Sequence, residues 1–153
     1  MSDTEANSHI SPQALVAQAP DAIILADLEG VIREWNAAAE RIFGYSAAEA
    51  IGQRLDLIVP ERFRDAHWEG YQRATNDGET KYAGQSLPTR ALRRGGEQFY
   101  VELSFAIVRS EDGQVAGALA TARDITARFE EERASRRRLA ELEQSLADLR
   151  DGD

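Results

Sequence analysis

The chain contains no cysteine, which removes disulfide frames, thiolate metal sites, cysteine nucleophiles and a cysteinyl adduct to a flavin. It also lacks any run approaching the roughly eighteen apolar residues that cross a bilayer. Cations are in the minority, with 18 Lys and Arg against 27 Asp and Glu and a net charge of -9. That balance argues against a general nucleic-acid or anionic-membrane surface, because phosphate contacts need clustered Lys and Arg. The opening residues, Met1 to Gln13, have neither the basic start nor the apolar stretch of a signal peptide, so a cytoplasmic location is expected. No phosphate loop, Ser–His–Asp arrangement or paired-carboxylate spacing stands out. The expectation is a non-catalytic chain.

What is present fits one domain with modest extensions: 153 residues, 42% hydrophobic and 29% charged. Residues 1–10 read as a disordered leader. Ser11-Pro12 opens a short helix that Pro20 closes. The apolar run Ala22 to Ala26, the turn Asp27-Leu-Glu-Gly30 and the segment Val31 to Trp35 predict a hairpin. Asn36 is placed to cap a helix over 37–43, and Ser46-Ala-Ala-Glu49 has the spacing of a capping box. From Glu61 to about Thr75 a longer helix is expected. Its residues Phe63, His67, Gly70, Tyr71 and Ala74 share one face, which places His67 within an apolar stripe. Three strands follow: 81–92 with Pro88 inside, which implies an edge or bulge, then 98–108 and 115–122. Helices gathered between the second and third strands of an antiparallel sheet predict an α+β fold with its helices on one face.

Beyond Thr126 the composition shifts to Ala, Arg, Glu and Leu without Gly or Pro, predicting a helix over 127–150. Leu139, Leu142, Leu146 and Leu149 keep the three- and four-residue steps of a heptad seam, whereas Glu132 and Ser135 occupy the preceding seam positions. The segment therefore reads either as a coiled-coil helix or as a helix lying back on its own domain. Thr126 is expected as its N-cap.

Several of these segments together resemble a PAS domain. The resemblance rests on Asp21 to Asp27, Gly30 to Glu40, Phe43-Gly-Tyr45 and Glu49 to Gly52 for the first half. Arg94 to Ser104 carries the second half, and Arg123-Asp-Ile-Thr126 resembles the close of such domains. It implies a sensor domain over 11–126, a five-stranded antiparallel sheet cupping a pocket, and a signalling helix that pairs as a homodimer, with the N-terminal helix contributing.

A finer resemblance, to haem-binding PAS sensors of the FixL oxygen-sensor type, rests on Val59-Pro-Glu-Arg-Phe-Arg-Asp-Ala-His67 followed by Gly70-Tyr71. It implies b-type haem with His67 as the proximal iron ligand, a diatomic gas (O2, CO or NO) as ligand, and Gly70 leaving room beside the ring. By pattern alone a lone inward His is as well read as a satisfied core residue. The chain departs from that family on the distal side. Aligning Arg94-Gly-Gly96 with the family's Arg-Asp-Gly turn puts Leu87 where an arginine stabilises bound oxygen. Arg90 or Gln85 substitutes only if the strand bulges near Pro88. Val101, Leu103 and Phe105 alternate inward and are expected either to complete an apolar distal wall or to be plain sheet core. A flavin- or metabolite-binding PAS domain, with Trp35, Trp68 and Tyr82 as stacking residues, and a ligand-free PAS dimerisation module stay open. With no output domain in the sequence, the chain is expected to be a sensory fragment of a larger signalling protein or to act by partner contact.

Overall fold

The computed structural model describes residues 9–81 and 84–152. Elements run α1 (Pro12–Gln18), β1 (Ala22–Asp27), β2 (Ile32–Trp35), α2 (Ala37–Phe43), α3 (Ala47–Ala50), α4 (Arg64–Asp77), β3 (Leu87–Leu92), β4 (Gln98–Arg109), β5 (Val115–Asp124) and α5 (Thr126–Asp151). The strands form one antiparallel sheet in the order β2-β1-β5-β4-β3. The α+β order and the helices between β2 and β3 are as the sequence implies. The leader expected over 1–10 lies, up to residue 8, outside the described residues, as does Tyr82.

Local chemistry explains the first half. Ser11 accepts from Ala14 N at 3.1 Å to cap α1, whose residues all remain at least partly exposed. Ser46 and Glu49 complete the expected capping box at the start of α3. Asn36 does more than cap. Its Oδ1 accepts from Ala39 N at 3.0 Å and from Ile23 N at 2.9 Å, while Nδ2 donates to Val16 O and Asp21 O. All four bonding positions of one buried amide are thereby used, tying α1, β1 and α2 together.

The core lies between the helices, which contribute Phe43, and the sheet face that carries Ile24, Ile32, Phe99 and Val101, all essentially buried. Phe43 packs against Trp35 and Phe99 with ring centroids 5.4 and 5.6 Å apart. The outer edge of β2 is covered by the loop after α3. Ile32 N bonds Gln53 O, Gly52 N bonds Ile32 O, and Leu55 N bonds Gly30 O, at 2.8 to 3.0 Å. At the other edge, β3 presents Pro88 where no neighbouring strand needs its missing N–H.

Three expectations change. The helix expected from Glu61 opens as a single 3-10 turn over Glu61–Phe63, and α4 proper starts at Arg64 and runs to Asp77. The third strand is half as long as expected, because regular pairing with β4 begins only at Leu87. Thr126 does not cap α5. Its hydroxyl instead accepts from Tyr100 N and donates to Tyr100 O, Ile125 holds the cap position, and Asp124 Oδ1 accepts Thr126 N at 2.9 Å.

The helix α5 is 26 residues long, about 39 Å at 1.5 Å per residue. Phe129 stacks on Tyr100 with centroids 4.1 Å apart, and every described residue from Glu130 onward is exposed. The helix therefore projects from the domain instead of folding back on it. Among the described residues no helix is long and apolar enough to cross a membrane.

Candidate functional site

Between α4 and the sheet lies a cavity of about 730 Å³, within the range of roughly 300–1,000 Å³ typical of small-molecule sites. Its floor comes from the 3-10 turn Leu55–Ile58 and Val59, one wall from α4, and the opposite wall from β3, β4 and β5. The cavity changes the meaning of the helical stripe. Phe63 is 39% exposed, Gly70 is exposed, and His67, Tyr71 and Ala74 are half-buried. These residues border open space and are not packed as core. Thr75 is the one described α4 residue that is buried.

All eight residues singled out for the site border this cavity: Phe63 from the 3-10 turn before α4, His67, Gly70 and Tyr71 from α4, Leu87 from β3, and Val101, Leu103 and Phe105 from β4. Leu87 pairs directly with Leu103 across the β3–β4 ladder, so the two form one apolar patch facing α4. That ladder runs without a register shift from Leu87 to Leu92, so no bulge forms near Pro88. Arg90 also borders the cavity, but three residues along the strand from Leu87 it lies on the opposite side, its guanidinium over the Tyr100 ring at 5.6 Å. Gln85 is exposed and does not border the cavity. Neither replaces Leu87.

His67 is the cavity's single imidazole. Its Nδ1 is buried without a hydrogen-bond partner among the described residues. Burial holds its pKa below the ordinary 6.5, with the nearby Asp56 carboxylate opposing in part, which favours the neutral ring that ligates metals. A Cβ added at Gly70 would meet nothing within 4 Å, so the wall beside the ring is open. A neutral imidazole, an open wall one turn along the helix and an apolar opposite face fit a flat macrocycle held by one axial ligand. Among the described residues there is no cluster of three or more His, Asp or Glu that would hold a bare metal ion.

The other side chains of α4 set its position. Trp68 donates from Nε1 to Asp56 Oδ1 at 2.7 Å, lies under the Arg54 guanidinium at 4.2 Å and rests against Gly30. Tyr71 donates its hydroxyl to Asp27 O, and burial with the neighbouring Asp27 charge pushes its pKa up to about 12. Both aromatics thus fasten α4 to the β1–β2 turn. Sequence reasoning passed over Asp56 and read Trp68 only as a stacking residue of a flavin- or metabolite-binding pocket. The available signal was Gly30, where a left-handed turn residue stands opposite a bulky indole.

The cavity reaches the base of α5. Val101 lines it, and its neighbour Tyr100, which also borders it, bonds Thr126 and stacks on Phe129. Arg93 adds a second tie, donating to Asp124 Oδ2 at 2.8 Å and to Ile42 O.

Comparison with known proteins agrees with this fold. The family described as PAS fold matches residues 16–130. The chain is 33% identical over 127 residues to the sensor protein FixL of Bradyrhizobium diazoefficiens, covering 83% of this chain and 24% of FixL. It is 27% identical over 77 residues to the oxygen sensor protein DosP of Escherichia coli, covering 50% of this chain and 10% of DosP. Among solved structures, an RNA-binding light-oxygen-voltage receptor superposes with a TM-score of 0.62 at 26% identity, covering 90% of this chain and 40% of the receptor. The chain spans less than a quarter of the length of the curated relatives it matches. With the matched region taking in the whole sheet, the cavity and the start of α5, this chain belongs to the PAS family.

Proposed function

We propose that the domain is a haem-based sensor that reads a diatomic gas or the iron's oxidation state and carries no catalysis of its own. The observation that supports this most is His67: a neutral, half-buried imidazole on the wall of an apolar cavity, with open space beside it at Gly70. When bound, b-type haem would supply an iron centre able to take a diatomic ligand. In this reading His67 would hold the iron, flanked by Phe63 from the preceding 3-10 turn and by Tyr71 on α4. Leu87, Val101, Leu103 and Phe105 exclude water from the far side.

The strands then do the relaying. A change in what presses on Val101 or Leu103 displaces β4, and Tyr100 delivers the displacement to Thr126 and Phe129 at the root of α5. In the same reading α5 pairs with a second copy through Leu139, Leu142, Leu146 and Leu149, each more than half exposed. The output belongs to whatever follows or contacts that helix.

The test is an absorption spectrum of protein purified after haem supplementation. A Soret band that disappears in His67→Ala supports the reading. A band of unchanged position and intensity in His67→Ala removes His67 as ligand, and a flavin spectrum in the parent transfers the cavity to a flavin.

A further inference from the structure

A second cleft, of about 470 Å³, lies where α4 meets the β1–β2 turn, and the sensing role proposed above does not use it. Its size is within the range of small-molecule sites. Half-buried Trp68 and Tyr71 border it from α4, and Leu28 and Val31 add apolar surface from the hairpin. Glu29, Arg54 and Gln72 complete the lining, all three exposed.

Arg54 says most about what the cleft could take. Its backbone is fixed opposite Val31 by an isolated antiparallel bridge, flanked by the bonds from Ile32 N to Gln53 O and from Leu55 N to Gly30 O. Its guanidinium rests over the Trp68 ring, 4.2 Å from the centroid. That indole is itself held, with Nε1 bonded to Asp56 Oδ1 at 2.7 Å and one edge against Gly30. A guanidinium resting on a ring still presents N–H donors around its own edge, in the fork that matches a carboxylate. Arg33, on the same hairpin, is already paired with Asp27. Arg54 makes neither an ion pair nor a side-chain hydrogen bond among the described residues, and the carboxylate of Glu29 is equally unengaged there. The cleft thus offers one open cation and one open anion beside an apolar surface. Glu29 disfavours a phosphate or a dicarboxylate, and Arg54 disfavours a simple amine. A ligand carrying both charges satisfies both residues.

We infer that this cleft binds a free α-amino acid with an apolar side chain: Arg54 takes the carboxylate, Glu29 the ammonium, and Leu28 and Val31 the side chain. The cleft adjoins the sensor cavity through three rings. Tyr71 borders both spaces, and the His67, Trp68 and Tyr71 centroids lie 4.9, 5.6 and 6.0 Å from one another. A ligand gripped by Arg54 loads the indole beneath it, and the indole meets the imidazole edge to face. Binding does not require haem. Only the use of the cleft as a second input to a gas sensor rests on the reading proposed above.

The test is calorimetry on haem-free protein with L-leucine, isoamylamine and isocaproate, the last two being leucine without its carboxylate and without its ammonium. L-leucine is expected to bind, and each analogue to bind roughly tenfold more weakly or worse, because each leaves one charged hydrogen bond unmade. Arg54→Ala should weaken leucine binding by a similar factor with the urea midpoint unchanged, since the side chain is exposed. Arg54→Lys, which keeps the charge and loses the fork, should recover only part of the affinity. Glu29→Gln should shift the preference toward isocaproate. In the nitrogen spectrum of ring-labelled protein, leucine should move the His67 signals, leave those of His9 in place, and do neither in Arg54→Ala. No binding of L-leucine, undiminished binding in Arg54→Ala, or isocaproate binding as tightly as leucine overturns the assignment. Leucine binding with His67 unmoved overturns the coupling between the two spaces. Leucine binding in a protein that takes up no haem overturns the haem reading and leaves the cleft's ligand standing.

Discussion

Gly30 lies so close beneath the indole of Trp68 that a Cβ built on it would come within 2.1 Å of the ring. Its backbone is also left-handed, at φ +79°, where an L side chain costs about 1–2 kcal/mol. Gly30→Ala therefore meets two penalties, strain and overpacking, the second worth about 1–3 kcal/mol. A total loss of about 2–5 kcal/mol is expected in urea unfolding. In a Trp68→Ala background the same change should cost only the backbone part, and equal costs in both backgrounds would show that the indole does not press on Gly30.

Stability of the haem-free protein should also depend on pH through His67. Burial lowers its folded pKa beneath 6.5, the Asp56 charge opposing, so between the two values the unfolded chain binds more protons. The stabilisation is complete above 6.5 and is lost as pH falls through the folded value. The titration of Asp27 and Asp124 does not overlap. Burial pushes both carboxyls up, but hydrogen bonds from Val31 N and Arg33 to the first, and from Arg93 and Thr126 to the second, hold them below 3.8. Urea midpoints between pH 5 and 7 should fall with acid in the parent and stay flat in His67→Gln. Parallel curves would remove His67 as the cause.

How far the sequence carried can be judged residue by residue. Asn36, Ser46 and Glu49 were legible as caps because capping is a local event, decided within a few residues. Asn36's bonds to Val16, Ile23 and Asp21 were not, since they depend on where α1 comes to rest. His67's stripe was legible from helical spacing, but spacing does not distinguish a packed face from one bordering a cavity. Residues 84–86 misled for a related reason. Edge-strand composition reads the same whether or not a partner strand lies opposite, and pairing begins only at Leu87. Asp56 gave no local sign, because its significance comes from the folding of α4 back over the Leu55–Ile58 turn.

Leu87 governs the prediction for ligand choice. It faces α4 beside Leu103, and neither offers a hydrogen-bond donor to a polar diatomic such as oxygen. Leu87→Arg supplies one. A charged hydrogen bond contributes about 1.5–3 kcal/mol, so oxygen affinity of the haem-loaded protein should rise roughly tenfold or more. Affinity for the less polar CO should change much less. Equilibrium titration with both gases checks this, and an equal change for the two would show that the side chain acts by bulk alone.

The direction of pairing along α5 follows from its charges. With Leu139 and Leu146 at a and Leu142 and Leu149 at d, Arg138 and Glu131 fall at g, and Glu143 and Arg136 fall at e. In a parallel, in-register pair, each g residue meets the e residue of the following heptad on the other helix. Arg138 then faces Glu143 of the second copy, and Glu131 faces Arg136, so both contacts are of opposite sign. Each exposed contact is worth roughly 0.2–1 kcal/mol and occurs twice by symmetry. Arg138→Glu turns two attractions into repulsions and should weaken the dimer severalfold by sedimentation equilibrium. Adding Glu143→Arg should restore it, because the exchanged pair is again of opposite sign. An antiparallel pair brings g against g and e against e, so the second change would bring no recovery there. Leu142→Asp, which buries a charge in the only apolar stretch of the seam, should leave the protein monomeric whichever way the helices run.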